Sequence, residues 1–392
     1  MGIVQAKRSR EKFLSDAIPP SSGTPMAPSD LQPRGFGGGM TTISLCPLEE
    51  AGHDRKVKNT DLSIIIVSYN TLALLRTCLR SILDSECPLQ YEVIVVDNAS
   101  KDGSAEMVES EFPWVRLLRT RGNLGLSRAE NLALPLARGR YILLLNPDTV
   151  VLNSALERMV EFLEIHPDVA VVGCRVLDGE GKIQASTYDH FPNLWRSLLA
   201  TVNVTLTGGL LWVKIRDWLN RRGPRWLGVA EVSSYDYAYG TNRETRVITG
   251  CCYMIRRSVI QQVGLFDEHF FITGEEVDWC YRAGKMGFRL WFTSEAEIIH
   301  YGKQAVGGNP LHRFLYYPNV HYHLRKHFGR LPAFVYRLVL PPVLLVGILT
   351  HLVWLMVAER RAAEVRKNLQ AFVMAFKWSV FCGTEAGPFQ AI

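Results

Sequence analysis

None of the eight cysteines forms a C-x-x-C pair, which removes the usual spacing of a structural zinc site. Cys251 and Cys252 are adjacent, a placement that suits neither a zinc knuckle nor an unstrained disulfide. The expectation is reduced thiols in a cytosolic compartment. The chain also lacks a concentrated basic stripe. Its net charge is only +6, and Lys and Arg are scattered until the C-terminal third, so a nucleic-acid partner is not expected. Phosphate-bearing substrates or an anionic membrane surface account for the mild positive balance. No apolar stretch follows the basic residues of "MGIVQAKRSREKFL", so it does not read as a secretory leader, and Ala6 stands where a myristoylation signal needs Ser or Thr. No internal repeat is present. The first strand-helix turn, "VSYNTLALL", has no G-x-G-x-x-G, which disfavours a nicotinamide oxidoreductase.

What is present begins after residue 60. Residues 1–60 are rich in Pro, Gly and Ser and read as a disordered extension. From Asp61 apolar runs alternate with helical patterns: "LSIIIVSYN", "LALLRTCLRSIL", "YEVIVVDNAS", "SAEMVESEF", "VRLLRT", "LSRAENLALPLA" and "YILLLNPDTV". This is the pattern of βαβ units in a mostly parallel α/β sheet, with strands covered on both faces. Ligands of such sheets sit outside the carboxyl ends of the strands. Here those ends are polar: Ser68-Tyr69-Asn70, Asp97-Asn98, Asn123 and Asn146-Pro147-Asp148.

Chemistry concentrates at four places. Asn146 and Asp148 form an N-x-D pair stiffened by Pro147. A carboxylate ending a central strand is costly to bury alone, and a divalent cation such as Mg²⁺ or Mn²⁺ would balance it. The bland alternative is an Asp that caps a helix beginning at Asn153. Glu275, Glu276 and Asp278 crowd the start of a helix, where the macrodipole favours acids. Three acids exceed what a cap needs, and Glu276 is placed to act as a general base, with Glu275 and Asp278 supporting the loop or meeting the acceptor. His300 ends the run "AEIIH" and gains a role only if the fold returns it to Asp148. Asp97 can accept a hydrogen bond from a ribose hydroxyl or a base N–H.

The motifs "SIIIVSYN", "EVIVVDNASKDGS", "NLGLSRAENLAL", "LLLNPDTV", "ITGCCYMIRRSVIQQVGLFDE" and "GEEVDWCYRAGKMGF" occur in an order that resembles an inverting family 2 glycosyltransferase of GT-A fold, in its bacterial rhamnosyltransferase-like branch. The resemblance covers residues 61–305. It implies a nucleotide-sugar pocket of Ser68, Tyr69, Asn70, Asp97, Asn98, Gly125, Asn131 and Asn146. It implies Asp148 and His300 on the metal and diphosphate, and Glu276 as the base. It further implies a nucleotide-sugar donor, dTDP-rhamnose or a UDP-hexose, and a lipid-linked or polysaccharide acceptor of the cell envelope. The sequence departs from the family at three points: Asn146-Pro147-Asp148 replaces D-x-D, Glu275-Glu276 replaces Glu-Asp, and Arg128 and Glu130 stand where small residues are commoner. These departures leave open an inactive sugar-nucleotide-binding or scaffolding protein.

Residues 306–392 read as a helical, membrane-associated region. Leu338–Ala358 carries no formal charge and is long enough, at about 1.5 Å per residue, to cross a bilayer core of about 30 Å. Pro341 and Pro342 fall in its first turn, and basic residues flank both ends, which blunts the positive-inside rule. Spanning and lying in the interface both stay open, on the cytoplasmic face. Residues 190–245, rich in Trp and Tyr, read as helical pieces and a loop near the acceptor.

Overall fold

A computed structural model describes residues 60–85, 87–206, 239–302, 310–357 and 362–381. The expected N-terminal extension, residue 60 apart, and Trp212, Trp218, Trp226, Tyr235 and Tyr237 lie outside the described residues. In chain order the elements are β1 (Leu62–Ser68), α1 (Leu72–Asp84), β2 (Tyr91–Asp97), α2 (Ser104–Glu111), β3 (Arg116–Arg119), α3 (Leu126–Ala133), β4 (Tyr141–Leu145), β5 (Thr149–Val151), α4 (Ala155–Ile165) and β6 (Val169–Leu177). There follow β7 (Ile183–Gln184), β8 (Thr187–Tyr188), α5 (Leu194–Leu206), β9 (Arg243–Thr245), β10 (Val247–Ile248), β11 (Cys252–Arg256), α6 (Arg257–Val263), α7 (Glu275–Lys285), β12 (Arg289–His300), α8 (Pro310–Phe328), α9 (Arg330–Val357) and α10 (Ala362–Phe381).

The main sheet runs β3-β2-β1-β4-β11-β6-β12-β5. Its strands alternate their side chains between two cores. Ile64 and Ile66 of β1, Val93 and Val95 of β2, and Leu143 and Leu145 of β4 meet α1, α2 and α4 on one face. Ile65, Ile94, Val96, Ile142 and Leu144 meet α3, α6 and α7 on the other. Burial on both faces is what the uninterrupted apolar runs require, each such side chain contributing about 1.5–3 kcal/mol.

From β3 to β4 the sheet is parallel. Strand β11 then runs antiparallel to both β4 and β6, and β12 is parallel to β6, so β4, β6 and β12 share one direction. The carboxyl ends of β1, β2, β4 and β12 therefore lie along one edge, together with the start of β11.

One crossing positions the site. The chain leaves β4 after Leu145, turns through Asn146–Asp148, and joins the far side of the sheet as β5, antiparallel to the end of β12, with Thr149 opposite His300. The backbone N–H of Tyr301 donates to the Asp148 carbonyl at 2.9 Å. Asp148 is thus no helix cap, since α4 starts at Ala155 with Ser154 before it.

Helices α8, α9 and α10, with α5, form a third layer with its own core, which includes Phe314, Leu315, Tyr336, Leu344 and Phe372. Phe271 and Ile272 from the loop before α7 pack into that core.

Candidate active site

A cleft of about 380 Å³ opens at the carboxyl edge of the sheet. Tyr69 and Thr71 line it after β1, Asn98 after β2, Asn123 and Gly125 before α3, and Asn146 and Pro147 after β4. Thr249–Cys251 reach it before β11, Glu275 and Glu276 from the start of α7, and His300 from the end of β12. Leu311, His312 and Leu315 of α8 close it from the third layer.

Asn98 organises one side of the cleft. Its Nδ2 donates to Asn123 Oδ1 at 3.0 Å and to the Gly125 carbonyl at 3.2 Å, and its Oδ1 accepts from Leu124 N at 2.9 Å. Gly125 has φ of +81°, and a Cβ there would lie 2.5 Å from the Phe271 carbonyl oxygen, so only glycine fits where α3 docks against the loop before α7. Asp97 is buried, and its Oδ2 accepts from Ser100 N at 3.1 Å while its Oδ1 accepts nothing. Burial pushes its carboxyl up, against the Ser100 hydrogen bonds and nearby Arg119. A buried acceptor without a donor, one residue from cleft-lining Asn98, suits a hydroxyl or N–H of a ligand.

Three residues expected at the nucleotide are engaged within the protein and lie off the cleft. Ser68 is fully buried and shares a hydrogen bond with Thr71 Oγ1 at 2.8 Å. Asn70, in a left-handed conformation, accepts from Lys101 N at 2.7 Å and ties the β1 loop to the β2 loop. Asn131 spends both ends of its amide on the backbone of Phe266, at 2.9 and 3.0 Å. None of the three lines the cleft. Arg128, one of the sequence's departures from the family, pairs with Glu268 at 2.8 Å.

At the other end of the cleft the fold brings His300 back to Asp148. Asp148 is 2% exposed, its Oδ1 accepts no hydrogen bond, and His300 Nε2 lies 3.3 Å from it. Gln184 of β7 sets the imidazole's tautomer. Its Nε2 donates to the His300 carbonyl at 2.6 Å, which leaves its Oε1 to accept from His300 Nδ1 at 3.2 Å. Nε2 is then the ring nitrogen that faces the carboxylate. An imidazole nitrogen and a buried carboxylate oxygen converging in this way are a ligand set that fits a divalent cation. Gln184 carried no sequence signal, because its partner lies on a strand more than a hundred residues away.

The three acids of α7 separate. Gly274, with φ of +94°, precedes the helix. Glu276 accepts a hydrogen bond from Gly274 N at 3.0 Å. Burial pushes the Glu276 carboxyl up, while backbone N–H groups of the helix start and the Glu275 side chain draw it back. Glu275 is pushed well up by burial, and the charges of Glu276 and Glu130 add to that. Its Oε2 has no hydrogen-bond partner. Glu130 is itself buried and pushed well up, so the departure noted in the sequence places a third acid beside the pair.

Asp278 is not a cleft residue, which corrects its place among the catalytic candidates. It is fully buried and paired with Lys326 at 2.6 Å, His327 at 2.7 Å and Arg282 at 2.9 Å. Although burial alone would raise it, those partners hold its carboxyl far below the usual range. Asp278, His323 and His327 lie close enough to suggest a metal cluster, but the Lys326 ammonium already occupies the cation's place on Asp278 Oδ1.

Over 263 residues the chain is 26% identical to N-acetylglucosaminyl-diphospho-decaprenol L-rhamnosyltransferase of Mycobacterium tuberculosis, covering 64% of this chain and 78% of that one. It is 26% identical to the low-salt glycan biosynthesis hexosyltransferase Agl10 of Haloferax volcanii, covering 62% and 69%. A solved mannosyltransferase of Pyrobaculum calidifontis, in complex with GDP-Man and Mn²⁺, aligns over 82% of this chain and 88% of its own with a TM-score of 0.48 and 17% identity. Residues 63–264, more than half of the chain, match the sequence model of Glycosyl transferase family 2, and the protein belongs to that family.

Proposed function

We propose that this glycosyltransferase moves a sugar, rhamnose from dTDP-rhamnose before a hexose from a UDP-hexose, onto a hydroxyl of a lipid-linked or polysaccharide acceptor in cell-envelope glycan synthesis, with inversion at the anomeric carbon. The observation that supports it most is that Glu276 and His300, the latter beside Asp148, face one cleft. The decaprenol-linked acceptor in the Mycobacterium relative's name favours a lipid-linked acceptor, as does the α8 wall of Leu311 and Leu315.

Each side chain has a task in this reading. Asp97, Asn98 and Gly125 hold the nucleoside end of the donor. Asp148 and His300 would hold Mg²⁺ or Mn²⁺ at the diphosphate, where a divalent ion disperses the charge of the leaving group. Glu276 takes the proton from the acceptor hydroxyl, whose oxygen attacks the anomeric carbon from the face opposite the nucleotide. Glu275, kept neutral by its burial, donates a hydrogen bond to the Glu276 carboxylate and keeps it aimed into the cleft. Work at the cytoplasmic face of a membrane completes the proposal.

Substitution separates the two glutamates. Glu276→Gln should lower kcat by about 10²–10⁴-fold, the usual worth of a positioned base, with donor binding retained. Glu275→Gln, which keeps a donor of the same shape, should stay within about tenfold of the parent. Full activity in Glu276→Gln would overturn the assignment.

A further inference from the structure

Helix α9 is apolar on two opposite faces. Ala333, Tyr336, Leu340, Leu344, Gly347 and His351 form a buried stripe along its whole length, at the spacing of one helical face. That stripe packs on α5, α8 and α10, so closely that a Cβ on Gly347 would lie 2.3 Å from Thr205 Cγ2. The opposite stripe, which includes Leu331, Phe334, Leu338, Leu345, Leu349 and Met356, is exposed from end to end. A continuous exposed apolar face of this length marks an interaction surface.

Charge identifies what covers it. Between Tyr301 and Phe381 the sequence holds eleven Lys and Arg against two acids, Glu359 and Glu364. The rest of the chain is slightly acidic, so the protein's positive balance resides in the segment that carries this face. An anionic bilayer offers both an apolar interior and a complementary surface charge.

The same geometry decides orientation. Helix α10 runs back along α9, with Arg337 of α9 donating to the Ser379 carbonyl at 3.0 Å. Its outward residues include Glu364, Arg366, Lys367, Gln370 and Lys377, all exposed. A crossing α9 would carry these groups and α8, with the cleft wall, into hydrocarbon. It would also strand one of the two basic clusters that flank α9 on the wrong side.

We infer that α9 lies flat in the headgroup region of an anionic bilayer, its Leu331–Met356 stripe facing the acyl chains and both ends on one side. This rests on the membrane reading under the proposed function and replaces its open choice between spanning and lying. The cleft residues Leu311 and Leu315 belong to the same helical layer, so docking holds the layer that closes the cleft at the membrane.

The test uses the full chain added to preformed vesicles. It should float with vesicles containing phosphatidylglycerol and at least tenfold less with phosphatidylcholine alone. Leu345→Glu/Leu349→Glu/Val353→Glu, all at exposed positions, should abolish flotation without lowering the melting temperature. Equal flotation of this variant, or of both vesicle types, would overturn the inference. So would a concentration-dependent dimer that buries the stripe in place of lipid. Cysteines introduced singly at Phe328 and Lys367, exposed near opposite ends of α9, should label equally with an impermeant maleimide on the bound parent chain. Protection of one end alone means a crossing helix and refutes the flat placement, even if the triple variant fails to fold. Sugar transfer to a water-soluble acceptor reports separately on the enzymatic reading, which stands or falls without the membrane.

Discussion

Glu276 is held between two opposing influences, burial that favours its neutral form and backbone donors that favour its charge. The net direction is upward. A base works only when deprotonated, so kcat/KM should fall on the acid side with a midpoint above the ordinary glutamate value of about 4.3, and plateau at higher pH. A profile flat down to about pH 4 would show that another group takes the proton. Gln184 supplies a second test at this scale. Gln184→Ala frees the His300 ring to turn and to change tautomer, so Mn²⁺ affinity measured by calorimetry without donor should drop about 10–100-fold. Unchanged affinity would remove Gln184 from the site's support. At single residues the sequence was legible in placement: the fold brings His300 back to Asp148 and turns Glu276 to the cleft. Ser68, Asn70 and Asn131 lie off the cleft, because a polar residue at a strand tip or helix start serves a loop's backbone as readily as a ligand. Gln184, Phe271 and Leu311 were invisible, since their roles arise only from contacts across the fold.

Helix α7 illustrates how one element divides its labour. Its first turn turns Glu275 and Glu276 to the cleft, and Asp278 faces away, to be clamped by Lys326 and His327 of α8. That clamp ties α7 to the third layer. Asp278→Asn should cost about 3 kcal/mol in urea unfolding at neutral pH, near the lower end for a broken buried pair because Lys326 and Arg282 are partly exposed. A carboxyl depressed in the folded state stabilises above its unfolded value, so the gap between parent and variant should shrink as the pH falls below about 4. A pH-independent gap would point to packing instead. Elements were the most readable level of the sequence: the strand tips, the β6–β7 turn and α6 follow directly from apolar period and glycine placement. Two elements departed from expectation. Helix α9 begins at Arg330, which puts Pro341 and Pro342 in its interior and not in its first turn. The run "YILLLNPDTV" is two strands, because Asn146-Pro147 breaks it and β5 pairs with β12.

Across the whole molecule, the boundary drawn near residue 305 does not separate two independent cores. Phe271 and Ile272 are packed by α8–α10, and α8 walls the cleft. A chain ended at Gly302 would expose that apolar seam, so it should elute as aggregate on size exclusion, whereas a monomer with the parent's melting temperature would make the helices a mere appendage. Composition and run lengths made the α/β body and the apolar tail legible, but a contact between them leaves no periodic trace in either. The β4-to-β5 crossing carries a last consequence. Asp148 acquires its imidazole neighbour only when Thr149 meets His300, about 150 residues later. While the polypeptide is still emerging from the ribosome, its four parallel strands β1 to β4 can collapse into a sheet, yet the cleft is incomplete until translation has passed His300, so a product that terminates before it lacks the Asp148–His300 pair.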